Sequence, residues 1–230
     1  MDKPTTRLVY LVTGATRGIG LEFARQLSSR GETVYGTARD KRRAGDLAAL
    51  PVKVLTLDAA DERSIAGLPE QLGGQAIDVL INNAGVSADD KSIVNVSGKE
   101  MEAVFRVNSF APVLVSKALL PNLRSARRRV IINITSQLGS LTNYSSGWSY
   151  SYCASKAALN MFTRAMAAEL KVEGFTCVAL HPGWVQTDMG GPGAPLAPEA
   201  SVSSMLMEID SLGADANGRF LNYEGQPIEW

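Results

Sequence analysis

Thr13-Gly14-Ala15-Thr16-Arg17-Gly18-Ile19-Gly20 stands directly behind the apolar run Leu8–Val12 and opens the amphipathic run Ile19–Ser29. Glycine in the spacing GxxxGxG, between a strand-type and a helix-type segment, has a specific physical use. Gly14, Gly18 and Gly20 permit a tight turn and a close approach of backbone to a ligand, and the helix start supplies free N–H groups and the positive end of a dipole. That combination suits a pyrophosphate, so Thr16, Arg17 and Ile19, which share the turn, join the glycines as expected cofactor contacts. A glycine-rich turn alone is weak evidence; its place between a first strand and a first helix strengthens it.

Working outward, short runs rich in Val, Ile and Leu recur at Leu8–Val12, Thr33–Thr37, Val52–Leu57, Val79–Asn82, Val130–Ile134, Cys177–His181 and Phe220–Tyr223. They show little alternation, as expected for strands buried on both faces. Helical patterns lie between them at Ile19–Ser29, Arg42–Ala49, Glu62–Leu72, Lys99–Arg124 and Ser149–Glu173. Strand–helix repetition of this kind predicts right-handed βαβ units in a doubly wound, Rossmann-type parallel α/β sheet of about seven strands with helices on both faces. Residues 1–230 read as a single dinucleotide-binding and catalytic domain, without linker or repeat. The Gly/Pro-rich stretch Gly190–Glu199 follows the sixth strand and is either a loose connection or a substrate loop.

Composition removes several function classes. Lys plus Arg and Asp plus Glu number 23 each, so no global field attracts nucleic acid or an anionic membrane; Arg127-Arg128-Arg129 reads as a solvated turn. A single histidine, His181, rules out a site built from several histidines, and no metal is expected. Cys153 and Cys177 form no CxxC pair, which suits a reduced compartment. With no apolar leader and no window that approaches the ~18 apolar residues of a membrane span, the chain reads as soluble and cytoplasmic.

The second strand ends Thr37-Ala38-Arg39-Asp40. An NAD site usually has a carboxylate here for the ribose 2′-hydroxyl. Arg39 together with Arg17 suits the 2′-phosphate of NADP(H) instead, because guanidinium groups donate paired hydrogen bonds to phosphate. Asp40 has the spacing of a ribose-binding acid, but it also fits the N-cap of a Lys41–Ala49 helix, and is read so here.

In order along the chain stand TGATRGIG (13–20), Asp58, Asn82-Asn83-Ala84-Gly85, Asn108, Ser136, YCASK (152–156) and Pro182-Gly183 leading to Thr187. From about Leu8 to Tyr223 this series resembles the short-chain dehydrogenase/reductase family. The interval from Ser136 to Tyr152, the HPGWVQTDMGGP segment (181–192) and the terminal GRFLNYEGQPIEW (218–230) are most similar to its C-factor-like and sniffer-like carbonyl reductases. The resemblance implies reduction of a ketone or aldehyde by NADPH, with Asn108, Ser136, Tyr152 and Lys156 as the catalytic set. It also implies that Asp58 contacts adenine, that Asn83, Ala84 and Gly85 line the ribose, that Lys156 bonds the nicotinamide ribose, and that Pro182, Gly183, Val185 and Thr187 flank the nicotinamide.

The chemistry of these residue types agrees. Ketone reduction needs a hydride on carbon and a proton on oxygen; the coenzyme supplies the first and a side chain the second. Lys156 follows Tyr152 by one helical turn. An ammonium about 4 Å from the phenol oxygen favours phenolate by roughly 4 kcal/mol, which would bring the phenol towards neutrality. Ser136 can donate to the substrate oxygen, and by resemblance Asn108 holds a water that links Lys156 to solvent.

Tyr150, Tyr144 and Trp148 read as pocket walls, Cys153 as a small buried thiol and His181 as a strand-end residue rather than a base. The segments Ser87–Val96, Leu138–Ser149 and Gly190–Glu199 are expected to shape the pocket. Apolar and small residues on several faces of Lys99–Arg124 and Ser149–Glu173 call for a second packing partner, and the resemblance implies that it is a twin chain, in a homodimer or homotetramer. Two rivals stand beside the reductase: an NAD-dependent alcohol dehydrogenase, and a nucleotide-binding signalling protein with incidental turnover.

Overall fold

The computed structural model describes residues 7–145 and 149–230. Seven strands, β1 (Val9–Val12), β2 (Thr33–Ala38), β3 (Lys53–Thr56), β4 (Val79–Asn82), β5 (Val130–Ile134), β6 (Thr176–His181) and β7 (Phe220–Asn222), form one sheet. Their order is β3-β2-β1-β4-β5-β6-β7 and every pairing is parallel. The order reverses direction between β1 and β4, so a crevice opens there above the carboxyl ends of the strands, the place where ligands bind in open α/β sheets.

Alternation within each strand divides the core in two. Tyr10, Val12, Val79, Ile81, Ile132 and Leu180 face α1 (Gly18–Ser29) and α7 (Pro198–Ser211). Leu11, Leu80, Ile131 and Cys177 face α2 (Glu62–Ala66), α3 (Leu68–Leu72), α5 (Ala111–Arg124) and α6 (Tyr150–Leu170). With both faces covered, the strands need no polar side, which is why their sequences lack alternation.

Four expectations need correction. The Arg42–Ala49 helix is two 3₁₀ turns, Lys41–Arg43 and Gly45–Ala49, because Gly45 adopts φ +54° between them. Asp40 does cap the first, accepting from the Arg42 N–H at 2.9 Å. Glu62–Leu72 breaks at Gly67, where Pro69 enters the first turn of a new helix without a backbone N–H. Lys99–Arg124 begins at Gly98 as α4 (Gly98–Phe105) and passes through a π-helical turn, Arg106–Phe110, before α5. Helix α7 went unassigned in the sequence reading, although Pro198 at its first position, Glu199 beside it and the spacing of Val202, Met205, Leu206 and Ile209 are helix signals.

The continuous helix Gly98–Arg124, 27 residues, has the length and composition of a membrane span, which the sequence reading had not recognised. It buries Asn108, Ser109, Ser116 and Asn122, and its apolar side packs on the sheet as a core helix.

The loop between β1 and α1 leaves no room for a side chain at Gly20. A Cβ there would lie 2.3 Å from the Gly14 carbonyl oxygen and 2.5 Å from the Asn83 amide nitrogen. Overpacking of this kind costs about 1–3 kcal/mol, and a chain of this size loses roughly 2–4 °C of Tm per kcal/mol. Gly20→Ala is therefore expected to lower Tm in a thermal melt by at least a few degrees, whereas Gly98→Ala, with open space around it and no left-handed backbone, is expected to leave Tm nearly unchanged.

Candidate active site

Helix α1 starts without a side-chain cap and without an acidic residue in its first turn. Gly14 and Gly18 hold φ of +65° and +54°. An uncapped helix start beneath a glycine turn offers N–H groups to an anion, which is the chemistry a dinucleotide pyrophosphate needs. The turn is braced from β4 and β2. The Asn83 amide donates to the carbonyls of Thr13 (2.9 Å) and Gly14 (3.2 Å), and the Thr13 hydroxyl accepts from the N–H groups of Asn83 and Ala84. Thr37 accepts from the Gly14 N–H at 3.0 Å. The Asn83 amide thus holds the glycine turn in shape. Asp58 lies exposed after β3, accepting from the Ala60 N–H.

Arg39 is exposed at the end of β2, while Arg17 crosses the cleft to Asp188, Nη1 to Oδ2 3.1 Å. An exposed pair of this kind is worth about 0–1 kcal/mol, little resistance to exchange for a phosphate. Asp40 is engaged elsewhere: Arg42 donates to both its oxygens and holds the carboxyl below its usual range. Thr187 approaches the glycine turn from the opposite wall; a Cβ on Gly18 would sit 3.2 Å from its methyl group.

The four residues of the expected catalytic set gather where β4, β5 and α6 meet, but with different bonds from those foreseen. Ser136 ends β5 and hydrogen-bonds the Tyr152 hydroxyl, while burial pushes that phenol up to about 12. Lys156 Nζ lies 5.8 Å from the centre of the Tyr152 ring and donates to the Ile134 carbonyl at 2.8 Å. The ammonium is thus anchored on backbone while it stays beside the Tyr152 ring. A buried ammonium takes the strongest acceptor within reach, and burial draws Lys156 down to about 8.

Asn108 clamps the loop after β4 with its side chain. Its oxygen accepts from the Val86 N–H at 2.8 Å, and its amide donates to the Val86 carbonyl (2.9 Å) and the Ser155 hydroxyl (3.0 Å). Gly85 sits between, where a Cβ would lie 3.5 Å from Asn108 Oδ1 and 3.8 Å from Lys156 Nζ.

Several supporting residues were missed. The Asn160 amide donates to the Gly139 carbonyl, and Thr135 donates to the Asn160 oxygen at 2.7 Å. A Cβ on Gly139 would come within 2.7 Å of the Lys156 carbonyl carbon. Together these press the Ser136 turn onto α6. Their only sequence signal was polar residues inside apolar runs.

Beside this set a cavity of about 770 Å³ opens over the ends of β5, β6 and β7, with Leu138, Tyr144, His181, Trp184, Tyr223 and Ile228 among its walls. The 138–145 segment lines it as expected. The stretches Ser87–Val96 and Gly190–Glu199 do not, and the chain after β7 takes their place. Trp230 fixes that tail, its carbonyl accepting from the N–H and hydroxyl of Thr142 and its ring 5.4 Å from Phe220. Gly190–Glu199 is tied back instead: Trp184 donates to the Gly190 carbonyl, and Gln186 N–H to the Leu196 carbonyl. Its last two residues already belong to α7, and Ser201 of that helix donates to the Pro182 carbonyl at 2.6 Å. Val185 is buried in a bridge to Leu196, and Gly183, at φ +85°, packs against Leu196 and Tyr223. Tyr150 is absent from the cavity wall, and Trp148 lies outside the described residues.

Residues 8–194 match the family model of the short chain dehydrogenases, and the chain belongs to that family. It is an oxidoreductase of that family. The C-signal of Myxococcus xanthus is 47% identical over 154 residues, covering 67% of this chain and 93% of the relative. An NADPH-bound carbonyl reductase from chicken fatty liver superposes with a TM-score of 0.90 at 37% identity, over 98% of this chain and all (100%) of that one. The carbonyl reductase Sniffer of D. melanogaster gives 0.91 at 32% identity, with coverage of 98% and 100%.

His181, at the end of β6, is 8% exposed, and its Nδ1 makes no hydrogen bond. Burial lowers its pKa from 6.5 to about 4. Between those values the unfolded chain binds the proton more readily, so this residue's contribution to stability is present above pH 6.5 and lost as pH falls towards 4. The loss amounts to about 3 kcal/mol. In urea unfolding at pH 7 and pH 4.5, His181→Asn is expected to show a smaller drop in midpoint than the wild type; equal drops would assign the acid sensitivity to other groups.

Proposed function

We propose that this chain interconverts a small ketone or aldehyde and its alcohol with NADP(H), acting chiefly as a carbonyl reductase. The observation that carries the reading is the phenol of Tyr152, bonded to Ser136 and protonated throughout the neutral range, with Gln137 and Leu138, the residues after Ser136, lining the large cavity. A protonated phenol is the form that reduction needs, since the carbonyl oxygen must gain a proton as the carbon gains hydride. When bound, the coenzyme supplies that hydride. Ser136 shares the substrate oxygen with Tyr152 and fixes its direction. Lys156, anchored on the Ile134 carbonyl, keeps further N–H groups for the ribose of the nicotinamide.

For the coenzyme, the uncapped start of α1 takes the pyrophosphate, Gly85 leaves space for the ribose, and Arg39 and Arg17 meet the 2′-phosphate. That reading draws support from the NADPH of the chicken carbonyl reductase and from the engagement of Asp40 by Arg42. It includes a second copy of the chain on the outer sides of α5 and α6, where Phe110 and Met161 stand 42% and 66% exposed. The likeness to C-signal favours one other reading, a nucleotide-binding signalling protein. Steady-state turnover on a panel of ketones and quinones separates the two.

Tyr152→Phe is expected to bind NADPH as the wild type does, by fluorescence titration, and to lose a factor of about 10²–10⁴ in kcat. Retention of a third of wild-type kcat would remove Tyr152 from the chemistry. On coenzyme choice, a single charge-assisted hydrogen bond is worth roughly 1.5–3 kcal/mol, so the wild type is expected to favour NADPH over NADH by about tenfold or more in kcat/KM. Arg39→Ala is expected to erode that preference by weakening NADPH, leaving NADH little changed. A wild type that uses NADH equally well would return Asp40 to the ribose and make the chain an NAD-dependent dehydrogenase.

A further inference from the structure

We infer that Asp90 is a positioning residue for Tyr152, holding the first turn of α6 from the loop that follows β4; the catalytic half of this inference rests on the function proposed above. Asp90 is 0% exposed. Its Oδ2 accepts from the Ser151 N–H at 2.6 Å and also from the Ser151 hydroxyl, and its backbone carbonyl accepts from the Tyr150 N–H at 3.5 Å. Its Oδ1 has no hydrogen-bond partner among the described residues. A carboxyl group taken wholly out of water is costly unless its bonds do something in return.

What it does is visible at the helix start. Ser149, the N-cap of α6, makes no side-chain cap bond, and its backbone stands at φ +59°, the sole positive value at a non-glycine position among the described residues. The first turn of α6 also contains no acidic residue. The cap that Ser149 does not supply comes from Asp90, 61 positions before the Ser151 whose N–H it accepts. A carboxylate at the N-terminus of a helix satisfies orphan N–H groups and meets the positive end of the dipole.

Tyr152 is the next residue after Ser151. Its carbonyl accepts from Ser155, whose hydroxyl in turn accepts from Asn108. Asn108 also grips both backbone groups of Val86, in the segment that leads from Gly85 to Asp90. The loop on the coenzyme side and the helix carrying the phenol are therefore joined at two points, Val86 through Asn108 and Asp90 through Ser151. Displacing a reacting group by about 1 Å can cost 10²-fold in rate, so the second joint sets the position of the phenol.

The test compares Asp90→Ala, Asp90→Asn and Ser151→Ala in the full chain. In Asp90→Ala the Ser151 amide is expected to exchange its hydrogen about tenfold faster or more, as loss of one such bond implies, with the sheet amides unchanged. Its kcat is expected to fall by roughly 10²-fold, with NADPH affinity held within about twofold. The isotope effect on kcat from NADPH deuterated at the transferred position should rise, because only the chemical step is slowed. Asp90→Asn keeps an oxygen for the Ser151 N–H and is expected to recover most of kcat; Ser151→Ala, which keeps that N–H, is expected to lie between. A smaller fraction of folded protein would lower kcat without moving the isotope effect, and that result overturns the inference, as does equal kcat for Asp90→Ala and wild type. Should Asp90→Ala not fold, equal isotope effects in Asp90→Asn, Ser151→Ala and wild type overturn it. Unchanged exchange at Ser151 overturns the cap itself whether or not the chain reduces any carbonyl. A wild type without turnover but with the exchange result intact removes the proposed function and with it the positioning role, and leaves the cap standing.

Discussion

The structure depends on one close approach: the turn after β1 lies against the end of β4 with no side chain between them. Gly20 leaves the space, and Asn83 fills it with an amide that donates to the carbonyls of Thr13 and Gly14. These carbonyls sit where the parallel sheet changes winding direction, away from any ladder partner. Backbone oxygens buried there without a donor would each cost about 1–3 kcal/mol. Satisfying them from β4 fixes the crevice width, and the start of α1 then points its free N–H groups into that crevice.

A second set of polar side chains joins the helices to the sheet. Asn82 donates to Asn133, and Asn133 to Thr163; Thr135 and Asn160 carry the connection on to Gly139. Such networks hold apolar layers in one register because a slip would leave several buried groups unpaired at once. They also explain why the electrostatics at Tyr152 differ from a two-residue calculation. Lys156 stands one turn away as the spacing demands, yet its charge is drawn to the Ile134 carbonyl and the phenol answers to burial and Ser136. Burial moves the two groups in opposite senses, the phenol up to about 12 and the ammonium down to about 8. Each change favours the uncharged form, as a water-poor interior does.

Most of the sheet was legible from the chain alone. Strands covered on both faces announce themselves as unbroken apolar runs, and six of the seven helices fell within runs read as helical. Reading failed where glycine, proline or a shifted hydrogen bond interrupts a helix, at Gly45, Gly67 and the turn around Asn108, since hydrophobic period is insensitive to such breaks. It failed again at α7, whose moderate apolar stripe follows a glycine- and proline-rich stretch that masked its start.

The identity and order of the site residues were set by sequence, because a glycine turn, a YxxxK pair on one helix face and a serine at a strand end are local patterns with local causes. Their bonds were not. That Asn83 and Asn108 brace loops, that Arg17 meets Asp188, that the tail ending in Trp230 walls the cavity and that Asp90 caps α6 all join residues tens of positions apart or more. Which donor meets which acceptor across such distances is decided by how the layers pack. Only the folded chain, with water excluded and each buried polar group in need of a partner, makes that choice.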